Sequence, residues 1–132
     1  MKVFPDDLFY NREHAWVRVD GHLATIGITD YAQEKMGEII SVELPEVDVS
    51  VELDEPFGTI ESSKGVFELI SPLSGDVISV NEDVMDDIGI INSDPHDTGW
   101  MIVIDMSDPE ELDDLLDSRE YHDFIIREAE DG

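Results

Sequence analysis

Lys64 is the residue of this chain best placed to do chemistry. It is one of three lysines among 132 residues and lies in Glu61-Ser62-Ser63-Lys64-Gly65. The runs on either side, Phe57–Glu61 and Val66–Ile70, read as β-strands. A small-residue turn with one amine at its tip holds that amine in solvent, where another enzyme can reach and modify it. A lysine on a turn also serves solubility or blocks edge-to-edge strand pairing.

The other reactive side chains do not assemble into a catalyst. His14, His22, His96 and His122 lack the spacing of metal ligands. Ser62 and Ser63 have no evident base beside them, and no Gly-x-Ser-x-Gly elbow occurs. The acidic stretches Asp83–Asp87 and Asp113–Asp117 lack the glycine and spacing of a calcium loop and read as a solvated turn and a solvated helix face. With no cysteine there is no thiolate nucleophile, disulfide framework or cysteine-ligated zinc, so any sulfur chemistry must arrive on a cofactor. The expectation is a protein that is acted upon: no catalytic residue, no metal, and Lys64 as its one site.

A rigid frame must present that lysine. Ala15-Trp16-Val17-Arg18-Val19, the turn signal Asp20-Gly21 and Leu23–Ile28 predict a hairpin. A short helix follows, with Asp30 as the expected N-cap, Gln33 in the capping-box position and Gly37 as the stop. From Gly37 onward the pattern has period two, giving strands at Glu38–Leu44, Val49–Leu53, Phe57–Glu61, Val66–Ile70 and Asp76–Val80. Asn92-Ser93-Asp94-Pro95 reads as a turn before a last strand, Trp100–Ile104. Asp108-Pro109, with Glu111 three residues on, starts a helical segment whose Leu112, Leu115 and Leu116 share a face. Ser118 is the expected cap of a further helix carrying Tyr121, Phe124 and Ile125, and 128–132 reads as a frayed tail. Trp16 and Trp100 are expected in the core or at its rim, and Phe67 in the core, the alternative being that it shapes a surface groove beside Lys64. Regularly spaced turns of this kind belong to a small, mainly β barrel or sandwich.

Gly37-Glu38-Ile39-Ile40-Ser41-Val42 recurs as Gly75-Asp76-Val77-Ile78-Ser79-Val80, identical or conservative at every position. Two β-halves related by a pseudo-twofold would bury complementary faces, with Lys64 in the connection between them. Chance similarity between two Gly-initiated strands is the alternative.

Composition bounds the partners. The length fits a single domain able to bury a core. Seven basic against 34 acidic residues give a net charge of −27, which opposes binding to nucleic acid or anionic membranes and steers the chain toward basic protein surfaces. A saline habitat also selects such surfaces. No run approaches the roughly 18 apolar residues of a membrane span, and Met1-Lys2-Val3-Phe4-Pro5-Asp6 is not an apolar signal segment; the expected location is the cytoplasm.

Several segments together resemble the H protein of the glycine cleavage system: Ile26-Gly27-Ile28-Thr29-Asp30-Tyr31-Ala32-Gln33, Val42-Glu43-Leu44-Pro45-Glu46-Val47, Glu61-Ser62-Ser63-Lys64, Ser71-Pro72-Leu73-Ser74-Gly75, Ile91-Asn92-Ser93-Asp94-Pro95, Gly99-Trp100 and Leu115-Leu116 with Tyr121. They run in family order over nearly the whole chain. The resemblance implies one domain over 1–132, a flattened lipoyl-domain-like barrel-sandwich with its lipoyl core at about 22–104, a short helix near 30–36 and a C-terminal helical segment at about 108–127. It implies lipoate in amide linkage on Lys64. The lipoyl arm would carry the aminomethyl group of glycine from the pyridoxal-phosphate decarboxylase (P protein) to the tetrahydrofolate-dependent aminomethyltransferase (T protein). Dihydrolipoamide dehydrogenase (L protein) would reoxidise the dithiol, and a lipoate ligase or lipoyltransferase would load it.

Two positions depart from the family pattern. His-Glu-Trp is replaced by His14-Ala15-Trp16, removing an acidic side chain associated with the loaded arm, and Gly65 follows the lysine where Ala or Thr is usual. The departures raise an alternative, an H-like lipoate-binding protein carrying sulfur intermediates in heterodisulfide-reductase-like sulfur oxidation.

Overall fold

The computed structural model describes residues 4–131, with side chains through Glu128; residues 1–3 and 132, at the two ends of the expected domain, lie outside them. The elements follow the sequence pattern closely: β1 Phe9–Tyr10, β2 Ala15–Asp20, β3 Leu23–Ile28, α1 Asp30–Met36, β4 Ile39–Glu43, β5 Ser50–Val51, β6 Pro56–Ser62, β7 Gly65–Ile70, β8 Gly75–Val80, α2 Asp83–Asp86, α3 Gly89–Ser93, β9 Ile102–Met106, a 3-10 turn Pro109–Asp114, and α4 Ser118–Asp131. Two antiparallel sheets result, one ordered β1-β2-β3-β9-β8-β5 and one ordered β4-β6-β7.

Alternation along the strands places the main core between these sheets. Ile26 and Ala24 of β3, Ile60 of β6, Leu69 of β7, Val77 of β8 and Ile102 and Ile104 of β9 are all buried in one cluster. Strand β2 is buried on both faces. Ala15 and Val17 join the main cluster, while Trp16 turns to a second one with Tyr10, Leu116, Tyr121 and Ile125, beneath α4. The indole lies against Gly27, its registered partner on β3, so closely that a Cβ there would fall 2.7 Å from the ring. Trp100 packs at the edge of the second cluster. Phe67, by contrast, is half-buried and stands outside both clusters, because β7 turns an edge toward solvent near the hairpin tip.

The repeated hexapeptides occupy different sheets, β4 in one and β8 in the other. Both strands slip register at the same repeat position, between Ile39 and Ser41 and between Val77 and Ser79. The preceding side chains, Ile39 and Val77, are buried, whereas Ile40 and Ile78 point outward. A shared bulge as well as a shared pattern favours two related β-halves over chance, since a bulge is a specified feature of a strand rather than a defect.

Several local expectations are corrected by hydrogen bonding. Thr29, not Asp30, caps α1, its hydroxyl accepting from the Ala32 N–H at 3.1 Å, while Gln33 donates to Asp30 within the helix. Asp117, not Ser118, caps α4 in a reciprocal box: its carboxylate accepts from the Glu120 N–H at 2.8 Å, and its own N–H donates to the Glu120 carboxylate at 3.0 Å. Asp108 caps the 3-10 turn as expected, but Glu111 reaches across to the Ser74 N–H and hydroxyl. The expected turn at Asn92-Ser93 is the end of α3, and the acidic stretch from Asp83 is the single-turn helix α2. Helix α4 continues through Glu128, where the tail was expected to fray.

Candidate functional site

Strands β6 and β7 pair down to Ser62 opposite Gly65, leaving Ser63 and Lys64 as a two-residue tip. Loops of this length favour turns with positive φ at a central residue. Here neither Ser63 nor Lys64 has positive φ, and the left-handed conformation falls on Gly65, at φ 143°. The glycine that departs from the family pattern thus holds a backbone conformation that side-chain-bearing residues rarely adopt.

The tip is latched to the junction between α1 and β4. Ser62, 5% exposed, donates its hydroxyl to the Met36 carbonyl, and the same oxygen accepts the Lys64 N–H at 3.2 Å. The Ser63 N–H donates to the Glu38 carbonyl at 2.9 Å. Between these contacts, Gly37 ends α1 at φ 81° and lies beneath the tip; a Cβ there would meet the Ser63 hydroxyl at 2.8 Å and Lys64 Cε at 3.5 Å. The lysine stem therefore crosses a glycine before its amine reaches solvent. Ser62, in sequence only one of the small residues of the turn, is a structural latch. Ser62→Ala removes one donor and one acceptor from this latch and should cost about 1–2 kcal/mol, measured by denaturant unfolding, with the loosening confined to the tip.

Of the two described lysines, only Lys64 presents an unengaged amine. Lys35 Nζ lies 3.6 Å from the Glu128 carboxylate and 5.3 Å from the Tyr31 ring centroid. Among the described residues Lys64 makes no ion pair, and it is exposed. An exposed, unpaired amine fits acylation by an outside enzyme and the attachment of a long arm. The histidines are engaged elsewhere, His14 with Tyr121, His22 with Asp105, His96 with the Asp30 N–H and His122 with Asp123, and among the described residues no His, Asp and Glu side chains group as a metal site.

A second polar assembly fastens α4 to the barrel. Tyr121 OH lies 2.8 Å from both Thr29 Oγ1 and His14 Nδ1, and His14 Nε2 lies 3.1 Å from the Glu128 carboxylate, which also accepts from Tyr31 OH at 3.0 Å. Sequence reading had no means of joining residues over 100 positions apart. Ala15 beside it is 3% exposed and contributes a methyl group to the core, so no side-chain acceptor stands at that position.

Burial lowers the His14 pKa, overcoming the upward pull of Glu128. Burial pushes Glu128 upward, but the Tyr31 hydrogen bond and the His14 and Lys35 charges together hold it below its ordinary value. Both depressed groups contribute stability in their deprotonated forms. That stability is complete above the unfolded values, about 6.5 for His14 and about 4.3 for Glu128, and is lost as pH falls below each. Wild-type Tm should therefore fall from pH 7 to pH 5 more steeply than that of His14→Gln, measured by calorimetry across that range.

Comparison with known proteins agrees with this geometry. The family model described as Glycine cleavage H-protein matches residues 8–128. The glycine cleavage system H protein of Brevibacillus brevis is 48% identical over 122 residues, covering 92% of this chain and 97% of that protein. That of Carboxydothermus hydrogenoformans is 43% identical over 130 residues, covering 98% and 100%. The crystal structure of a glycine cleavage system H protein from Mycobacterium marinum superposes with a TM-score of 0.84 at 33% identity, covering 91% of this chain and 97% of that one. The sulfur-oxidation alternative finds no support in these relatives. Among the described residues no helix is long and apolar enough to cross a membrane. The chain belongs to the glycine cleavage H-protein family, the non-catalytic lipoyl carriers of the glycine cleavage system.

Proposed function

We propose that Lys64 bears lipoate in amide linkage and that the chain, as one domain over 1–132 with a lipoyl core at about 22–104 and a helical segment at about 108–127, ferries the one-carbon amine of glycine between active sites. The observation that carries this reading is the exposed, unpaired Lys64 amine on a hairpin tip latched to α1 and β4. Lipoate, when bound, supplies a redox-active pair of sulfurs at the end of a flexible arm. The protein supplies the mount. Amide formation removes the lysine charge, and the latches through Ser62 and Ser63 fix the root of the arm. A fixed root confines the arm to a small volume and raises its effective concentration at each docked partner.

The net charge of −27 favours steering toward basic surfaces on those partners. The partners in this reading are glycine decarboxylase, the tetrahydrofolate-dependent aminomethyltransferase, dihydrolipoamide dehydrogenase and a lipoate ligase or lipoyltransferase, in the cytoplasm. The lipoylated chain, mixed with glycine decarboxylase, should support glycine-dependent release of carbon dioxide. No release, where a standard H protein succeeds under the same conditions, would contradict glycine as the cargo.

A further inference from the structure

The junction that holds the Lys64 tip is itself held from behind by one side chain. Asn92, half-buried at the end of α3, accepts the Ile39 N–H at 3.0 Å through its amide oxygen. Its nitrogen donates to the Gln33 side-chain oxygen at 2.9 Å and to the Gly37 carbonyl at 3.0 Å. Every hydrogen and one lone pair of the amide are thereby used on residues 33, 37 and 39. Those residues bracket Met36, Gly37 and Glu38, which in turn contact Ser62, Ser63 and Lys64. The contacts are fully oriented: the Ile39 N–H requires oxygen, and the two carbonyl-type acceptors require nitrogen.

We propose that Asn92 is a positioning residue for Lys64, fixing the α1–β4 junction so that the hairpin tip presents its amine in one orientation to the enzyme that acylates it. The inference rests on Lys64 as the modified lysine. Asn92 touches neither Lys64 nor the reacting atoms, so its effect passes entirely through the junction. α1 is a two-turn helix ending at Gly37, and apart from the bonds to the tip itself its end is closed by the Gly37 N–H to Gln33 carbonyl bond at 3.0 Å. Without Asn92 the Gly37 carbonyl and the Ile39 N–H lose their partners, and the acceptors for Ser62 and Ser63 shift with them.

A matched control exists in the fold. Asn81 uses its amide in the same way, donating to the Thr98 and Trp100 carbonyls and accepting the Asp83 N–H, but it joins β8 and α2 to the loop before β9 and reaches no residue of the tip or its cradle. The experiment compares Asn92→Ser and Asn92→Asp with Asn81→Ser by amide hydrogen exchange and by lipoyl transfer from a purified lipoate ligase. Asn92→Asp retains the acceptor for Ile39 and loses both donors. For the Asn92 variants we expect Ser63 amide exchange to quicken at least tenfold while the Ile102 and Ile104 amides of β9 hold their rates. Transfer should fall about tenfold in kcat with little change in KM, because docking survives while the amine is misplaced. Asn81→Ser should change neither readout at the tip. Equal behaviour of the Asn92 and Asn81 variants would overturn the proposal, as would a fall in KM-dependent binding alone. If even the wild-type chain accepts no lipoate, the Lys64 reading fails, while Ser63 exchange still decides whether Asn92 orders the tip.

Discussion

Lys64→Arg is expected to abolish lipoylation and glycine-dependent turnover while leaving the fold intact. An arginine keeps the positive charge but has no nucleophilic amine to form the amide. Lys64 is exposed and makes no ion pair among the described residues, so stability should change by no more than about 0.5 kcal/mol. Lys35→Ala is the complementary variant. Its amine is engaged with Glu128 and lies over Tyr31, so it is expected to remain unmodified in the wild type, and its loss should leave lipoylation unchanged. Mass spectrometry after incubation with ligase and lipoate reads both outcomes. Modified Lys64→Arg, or a modified Lys35 in the wild type, would contradict the assignment.

The second large effect lies in the frame rather than the site. Gly75 opens β8 at the start of the repeated hexapeptide, paired with Met106 of β9. A Cβ there would press into the Asp105 carbonyl oxygen and meet Ile104 Cδ1 at 3.2 Å, and both neighbours belong to a strand buried at the centre of the sheet. Backbone cannot yield as a side chain does. Gly75→Ala should therefore cost about 2–3 kcal/mol and lower Tm by roughly 10 °C. Gly89→Ala provides the contrast: at that exposed helical position a Cβ would meet only the Asp87 carboxylate at 3.7 Å, and stability should hold within about 0.5 kcal/mol. Chemical denaturation of the two variants measures the difference; equal stabilities would show that β8 and β9 are not held at the close approach described.

What was legible in the sequence followed from short-range rules. The hairpin β2–β3, the stop at Gly37 and the strands flanking Lys64 each carry a local pattern and a turn signal, and they stand where those signals put them. The repeat was legible for the same reason, and its bulges were not, since register is a property of two strands rather than one. Single-turn helices such as α2 and α3 escaped because four or five residues cannot display a 3.6-residue period. Caps were displaced by one position where two adjacent residues could each accept a hydrogen bond, as at Thr29-Asp30 and Asp117-Ser118; Thr29 also meets Tyr121, while the Ser118 hydroxyl is spent on Asp6 and leaves the cap to Asp117.

Much the same division applies to the site. Lys64 was visible as a rare amine on a small-residue turn. The cradle that holds it was not, because its carbonyls at Met36 and Glu38 carry no side-chain signature and its latch, Ser62, looks like any turn serine. The assembly of His14, Tyr121 and Glu128 also lay beyond reach, its members separated by most of the chain. Family resemblance bridged part of that gap by implying lipoate as the proposed modification, while the reason for Gly65 came from its φ of 143°.

The most direct measurement of the central claim is an intact-mass determination followed by peptide mapping of the protein produced in lipoate-replete cells. The account predicts a single added lipoyl amide, located on the peptide containing Ser62-Ser63-Lys64-Gly65 and absent from the Lys64→Arg variant. A chain that remains unmodified in those cells, or one whose lipoyl group maps to another lysine, would contradict it.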